Sequence, residues 1–440
     1  MRFFYFLLYI TLKYALRIFY PRQKVINGPK EFFGRTIYVS NHAASFMDPL
    51  IVASLRRPIV FFMTRSDVFT TFTKPFLWAA HMLPIYRQLD GGDTKEQNAK
   101  VFEKCSKILS FGRNLLIFGE GFTDDVFVRR LKPVKKGAIR IGFTALETMN
   151  WKKKVYVAAV GCNYSDPNKM GSDILVSTSE KFCLNDYKAQ YLENPNKTIT
   201  DLTRKLELMM QEQITHVNDL KWTTFHENVM RLTRKGMNAE DADKSIPLEN
   251  RWKYSKKIAN WLNGLTSQQL DDLEPLKKDM EAYFSLLKKM RIREKCLYEF
   301  SLNNKLSVLN EIFTLVFLFP FAILGLVHAG LPYILIKRFV EKKFKRKVFW
   351  GSVKLLLGKI IIGLVNIPFI FVFYNLIYPS YWMAFLYYCL IGIFGLAAYK
   401  WFKAFVSYKE KKAMAKFDLS KFLERRKILI ETIHDNIPEA

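Results

Sequence analysis

From Ile360 to Tyr399 the chain carries no Asp, Glu, Lys or Arg, and Tyr378-Pro379-Ser380 falls near the middle of that run. A bilayer crossing needs about twenty apolar residues. The run therefore has the length of two crossings joined by a tight turn, and a transmembrane hairpin is expected over 360–399. Basic residues flank it on both sides: Lys337-Arg338 and the cluster Lys342 to Lys347 before, Lys400, Lys403 and Lys409 after. Basic loops stay in the cytosol, so both ends of the hairpin are expected there. A second uncharged run, Ile312 to Ile336, contains Pro320, Gly325, Gly330 and Pro332. A full crossing there would place either the 337–347 cluster or everything upstream on the far side. A re-entrant or interfacial pair of half-helices, broken at the Gly and Pro positions, is expected instead.

Residues 2–20 are apolar and aromatic as well, but the uncharged stretch Phe3 to Leu12 is too short to span. Lys13 and Arg17 stand one helical turn apart and share a face, the pattern of a helix lying in the headgroup region. No small-residue cleavage site follows, so a removed signal peptide is not expected. The net charge of +28 would suit either nucleic acid or an anionic membrane surface. The uncharged runs select the membrane and its phospholipid as partner, and with no RNA- or DNA-binding motif present no nucleic acid is expected. Cys105, Cys162, Cys183, Cys296 and Cys389 show no paired spacing, which gives neither a disulfide framework nor a zinc site and points to a reducing, cytosol-facing compartment.

Between residues 35 and 182 short apolar runs alternate with helical periodicity. Strands are expected at 36–40, 58–63, 114–119, 154–161 and 173–178, and helices at 49–55, 73–81, 95–110 and 136–149. Such alternation implies an α/β fold with a mixed, mainly parallel sheet flanked by helices, and catalytic loops at the strand ends. Residues 183–305 are polar and helical. Thr266 with Gln269 reads as a capping box opening a helix toward Met290, and 236–250 reads as a linker between helices. The expected organisation is an N-terminal interfacial helix (1–34), the α/β domain (35–182), a helical extension (183–305) and a membrane region (306–440).

Chemistry concentrates at four places. The run Thr36 to Val39 ends in Ser40-Asn41-His42, and Asp48 follows before Pro49. A histidine titrates near neutrality and can take a proton from a hydroxyl, while a carboxylate fixes its tautomer. The competing reading makes Asp48 a helix N-cap with Pro at the first helical position. Leu115 to Phe118 runs into Gly119-Glu120-Gly121, a carboxylate between two glycines at a strand end, where a polar substrate can approach closely; an ordinary turn would look the same. Lys135 and Lys136 stand where a helix begins, a plausible phosphate site or a solvated basic loop. Met82 to Tyr86 ends in Arg87, whose guanidinium suits a phosphate. The chain has no G-x-S-x-G elbow, no H-E-x-x-H and no Walker loop.

Taken in order, these blocks resemble the glycerolipid acyltransferase family, the glycerol-3-phosphate and lysophosphatidate acyltransferases. Asn41-His42 with Asp48 matches its histidine–aspartate block, Leu83 to Arg87 its second block, and Phe118-Gly119-Glu120-Gly121 its third. Val157 to Gly161 with Asn163-Tyr164 matches the fourth. The resemblance covers roughly residues 35–182. Five residues separate His42 from Asp48 where four are usual, a spacing also found among glycerol-3-phosphate acyltransferase-like members. Gly119 and Ala159 replace prolines, Phe122 replaces a threonine, and no arginine follows Thr123 as in the usual third block.

The resemblance implies that His42 is the general base and Asp48 its partner, that Glu120 and Gly121 hold the glycerol part, and that Arg87 binds phosphate, with Lys135 and Lys136 assisting. The acyl donor would be acyl-CoA or acyl carrier protein, the acceptor glycerol 3-phosphate or lysophosphatidate, with no cofactor and no metal. The cleft would lie at the cytoplasmic face of a membrane. Rival readings are a remodelling acyltransferase for another lysolipid or aminoacyl acceptor, and a non-catalytic phospholipid-binding adaptor.

Overall fold

The computed structural model describes residues 2–55, 59–86, 94–303 and 307–437. The chain divides into two compact units, one of residues 1–167 and 172–218 and one of residues 168–171 and 219–440.

The first unit is built on one sheet. Its strands are β1 (Arg22–Ile26), β2 (Thr36–Ser40), β3 (Val60–Arg65), β4 (Met82–Ile85), β5 (Asn114–Phe118), β6 (Tyr156–Tyr164), β7 (Asp173–Thr178) and β8 (Phe182–Cys183). Among the described residues their order is β1-β7-β6-β2-β5-β3-β4, with β8 also on β6. The pairs β2–β5, β2–β6, β3–β5 and β3–β4 are parallel; β6–β7 and β6–β8 are antiparallel. The expected mixed, mainly parallel sheet is thus the fold, and its five expected strands are present. β1 is an addition: its exposed middle residues hide the alternation, and Arg22 Nε ties it to Asp173 of β7 at 2.7 Å.

The helices of this unit are α1 (Arg2–Phe19), α2 (Met47–Leu55), α3 (Lys74–Ala79), α4 (Thr94–Ser110), α5 (Gly137–Thr148), α6 (Lys188–Glu193) and α7 (Pro195–Gln213). Side chains of β2, β5 and β6 alternate between the two faces. Ile37, Val39, Leu115, Ile117, Val157 and Ala159 join Cys105, Leu109, Phe143, Leu206 and Met210 in one core cluster. Their neighbours Tyr38, Leu116, Ala158 and Val160 are buried too, so both faces are covered, as parallel strands require. On α1, Leu16 is buried while Phe6, Leu7, Ile10 and Tyr14 stay exposed, which leaves the helix an apolar outer face.

α6 and α7 were expected in a separate extension beginning at 183, but they belong to this unit. Leu202, Leu206, Met210 and Ile214 fill the core cluster. Gly161 of β6 lets the end of α7 press onto the sheet, since a Cβ there would lie 2.0 Å from the Gln213 carbonyl oxygen. Asn163 completes the contact by donating to the Gln213 carbonyl at 2.9 Å and accepting from the Thr215 amide at 3.0 Å.

The second unit is helical: α8 (Thr223–Thr233), α9 (Leu248–Asn263), α10 (Ser267–Met290), α11 (Glu294–Asn303), α12 (Leu309–Gly325), α13 (Leu331–Lys343), α14 (Trp350–Val365), α15 (Ile367–Val372), α16 (Tyr381–Met414) and α17 (Ser420–Asn436). The capping box at Thr266 and Gln269 is formed and opens α10, which ends at Met290. The stretch expected as a linker is an ordered turn, with Asp241 buried against Arg231 at 2.7 Å.

Among the described residues three helical stretches, Leu309–Lys343, Lys347–Ile377 and Tyr381–Met414, are long and apolar enough to cross a membrane. The last two meet at Tyr378-Pro379-Ser380, where the hairpin turn is expected. The interruption expected within 312–336 takes another form. The chain stays helical through Pro320 and Pro332, and residues 326–330 form a π turn between α12 and α13. A π turn re-satisfies backbone groups around a proline without unwinding the helix. Helix partners change at that turn. α12 runs beside α16, with Trp401 Nε1 on the Leu315 carbonyl, whereas α13 runs beside α14, with Trp350 Nε1 on the Phe344 carbonyl.

Candidate active site

Because β2, β5 and β6 are parallel, the loops following β2 and β5 emerge at one edge of the sheet together with the end of β6. That edge gathers His42, Asp48, Glu120 and Tyr164. Asn41 fixes the first loop there: its side chain donates to the Cys162 carbonyl at 3.2 Å and accepts from the Cys162 amide at 2.8 Å, extending the β2–β6 pairing past the strand. Ser45, in the left-handed region at φ 52°, turns the chain into α2.

His42 Nδ1 lies 3.1 Å from Asp48 Oδ2. Asp48 is fully buried, whereas the His42 side chain keeps 21% of its surface. Asp48 sits in the first turn of α2, but its carboxylate points back upstream and accepts from the Ala44 amide at 2.9 Å. It is therefore not the N-cap that its place before Pro49 would suggest. Phe118 stacks on the imidazole, with ring centres 4.3 Å apart, and limits its rotation.

Glu120 is buried with both oxygens engaged: Oε1 accepts from the His42 amide at 2.6 Å and Oε2 from the Lys132 amide at 3.3 Å. Burial raises its pKa above the ordinary carboxylate value, although the two amides, Lys132 and His42 oppose the shift. Its carboxylate thus joins the histidine loop to the basic loop. Gly121 adopts φ +75°, a conformation that favours glycine, and a Cβ there would lie 3.7 Å from Lys135 Cγ. Lys135 is exposed, and its amide donates to the Gly119 carbonyl at 2.8 Å. Lys136, just before α5, is exposed and its Nζ bonds Thr200 Oγ1 of α7 at 2.7 Å. Arg87 lies outside the described residues.

Several participants carried no assigned role in the sequence. Tyr164 donates to Asp48 Oδ1 at 2.7 Å. Lys132 Nζ pairs with Asp124 at 3.0 Å and stands 4.1 Å from the centre of the Phe122 ring. Arg129 is buried and donates to the carbonyls of Tyr164, at 2.7 Å, and Ser165. His216 accepts the Leu131 amide through Nδ1 at 2.9 Å, and burial together with Arg130 lowers its pKa, which keeps it in that role. The basic run at Lys132 to Lys136 and the Asn163-Tyr164 pair of the fourth block were the signals; the bond from Tyr164 to Asp48 joins residues far apart in the chain.

The sequence model of the Acyltransferase family matches residues 25–163. No curated protein matches the chain. The crystal structure of the 1-acyl-sn-glycerophosphate (LPA) acyltransferase PlsC from Thermotoga maritima aligns at 15% identity with a TM-score of 0.32, over 46% of this chain and 78% of that one. The matched residues 25–163 hold His42, Asp48 and Glu120, the three side chains gathered at one sheet edge.

Proposed function

We propose that the protein is a membrane-bound O-acyltransferase that moves a fatty acyl group from acyl-CoA or acyl carrier protein to a hydroxyl of glycerol 3-phosphate or 1-acylglycerol 3-phosphate. The observation that carries this reading is the pairing of a partly exposed His42 with a fully buried Asp48. With Nδ1 turned to Asp48, Nε2 is the ring nitrogen left for the acceptor hydroxyl. It takes the proton as the hydroxyl oxygen attacks the thioester carbonyl, and the proton then leaves with the thiol. Asp48 balances the imidazolium in between, the logic of a serine triad in which the substrate hydroxyl takes the place of serine. No acyl-enzyme and no metal enter this scheme. Lys135 and Arg87 would bind the acceptor phosphate with Lys136 nearby, and the turn at Glu120-Gly121 would border the glycerol.

Acyl chains and lysolipids reside in the bilayer, so attachment brings the site to its substrates. The exposed apolar face of α1 suits the headgroup region. The active site is assigned to the cytoplasmic face, with the basic segments 337–347 and 400–409 on that side. Modification of an engineered cysteine near Arg346 by an impermeant reagent in whole cells would overturn the topology.

Membranes holding wild type or His42→Ala, given labelled acyl donor with glycerol 3-phosphate or lysophosphatidate, test the chemistry. General base catalysis contributes about 10²–10⁴-fold, so the variant should lose at least that much rate. Transfer by wild type alone names the acceptor. Equal rates, or none with any acceptor, would leave a phospholipid-binding adaptor.

A further inference from the structure

The pairing with His42 uses only one oxygen of Asp48. The other, Oδ1, accepts from the Tyr164 hydroxyl at 2.7 Å. We propose that Tyr164 is a positioning residue of the catalytic pair, whose hydroxyl fixes the Asp48 carboxylate and sets how much of its negative charge reaches His42. The inference rests on the acyl-transfer reading above.

The placement is over-determined. β6 pairs with β2 through Ser40 and Val160, so Tyr164 lies four residues beyond that register point, beside the loop that carries His42. Its carbonyl is held by Arg129, and its ring is met edge-on by Phe127 at 6.1 Å and tilted by Tyr20 at 5.9 Å. A buried phenol normally finds a hydrogen-bond partner, but that partner can be any carbonyl. Tyr20, equally buried, illustrates the neutral choice by donating to the Pro167 carbonyl at 2.7 Å. Tyr164 instead gives its proton to the carboxylate paired with the His42 ring, a charge-assisted bond and so a stronger one. Burial and the Asp48 charge push the phenol pKa up, which keeps it a donor throughout the working pH range.

Two consequences follow from the geometry. Without an anchor on Oδ1 the carboxylate can swing, and His42 loses its orientation. A carboxylate relieved of that donor also presents more of its negative charge to the imidazole ring, which the pH dependence of the rate reads.

The test compares wild type, Tyr164→Phe and Tyr20→Phe in membranes, following transfer from labelled acyl-CoA to glycerol 3-phosphate and to lysophosphatidate across pH. Losing a hydrogen bond to a charged group corresponds to about a tenfold or greater effect. Tyr164→Phe should therefore lower kcat about tenfold with KM little changed, and move the acid limb of kcat/KM upward by about half a pH unit. Tyr20→Phe should move neither. Incorporating 3-fluorotyrosine at position 164 keeps the shape and makes a stronger donor, so the acid limb should move the other way. A phenol that merely packs would produce no such change of sign. Wild-type kcat and an unmoved acid limb in both position-164 variants, with His42→Ala inactive, would overturn the proposal. Activity in His42→Ala would instead overturn the catalytic reading beneath it.

Discussion

The two units each hold a hydrogen-bonded histidine, and the contrast separates a site poised for chemistry from a site that is finished. In the α/β unit His42 Nδ1 meets a carboxylate, Asp48, at 3.1 Å, and the ring keeps part of its surface. In the helical unit His328, within the π turn, is buried with Nδ1 2.5 Å from the Asn366 amide oxygen and Nε2 2.6 Å from the Tyr387 hydroxyl. Asn366 also donates to the His328 carbonyl at 2.8 Å. One histidine has a charged partner and a nitrogen to spare. The other has a neutral partner and both nitrogens occupied, at the point where α12 passes into α13. Similar hydrogen bonding therefore meets different surroundings: the first ring keeps a nitrogen and part of its surface open, and the second pins helices together in apolar surroundings, where an unpaired polar group is costly.

The sharpest way to break this contrast is to remove the charge. Asp48→Asn keeps the shape but lets the imidazole take the wrong tautomer, and transfer should fall by about 10²–10⁴-fold, close to the loss in His42→Ala. If the rate stays near wild type, the carboxylate is not what distinguishes the two histidines. A smaller effect of another kind is expected at the second site. His328→Leu strands the Asn366 amide oxygen and the Tyr387 hydroxyl, costing about 1–3 kcal/mol of stability. Thermal inactivation in membranes should come several degrees earlier while initial transfer rates stay close to wild type. A rate loss comparable to that of Asp48→Asn would make His328 part of the chemistry.

A third histidine sharpens the comparison with the smallest effect. His81, at φ 62°, is stacked between Tyr5 and Phe61, with ring centres 4.3 and 4.1 Å away, and its Nδ1 has no hydrogen-bond partner. Burial, with Arg113 nearby, lowers its pKa to about 4. The unfolded histidine titrates near 6.5, so on acidification the unfolded chain takes up the proton first. The stability that this residue contributes is complete above about 6.5 and drains away as pH falls toward 4. His81→Phe keeps the stack and removes that dependence. The melting-temperature difference between variant and wild type should drift in favour of the variant by about 2–4 °C over that range. A constant difference would mean the histidine is already charged in the folded protein.

Legibility followed sequence distance. The helix α10 was readable because Thr266 and Gln269 are neighbours that cap one another. The parallel sheet was readable because each strand is a continuous apolar run. The pairing of His42 with Asp48 followed from a spacing of six within one turn, although the sequence left open an N-cap that the backward-pointing carboxylate rules out. Tyr164 lies 116 residues from Asp48, and no local pattern announces a hydroxyl aimed at a distant carboxylate. Glu120 was visible as a strand-end carboxylate, but not its two bonds to backbone amides of separate loops. β1 escaped because an edge strand held partly by an Arg22–Asp173 pair needs little hydrophobic alternation. The two helices of the expected hairpin were plain from composition; the π turn depends on how backbone groups are shared around Pro332, which composition does not record.

The way α7 lies on β6 governs how this protein can be cut. The stretch matched to the family ends at residue 163, and a fragment stopping there would strip Leu202, Leu206, Met210 and Ile214 from the sheet. Val157 and Ala159 would meet water, and Asn163 would lose both partners that hold the end of β6 beside Asp48. Gly161, kept bare to admit α7, would become an open notch with nothing in it. A soluble excised domain should therefore run through residue 218, and one trimmed to the matched segment should aggregate before its catalysis can be assayed.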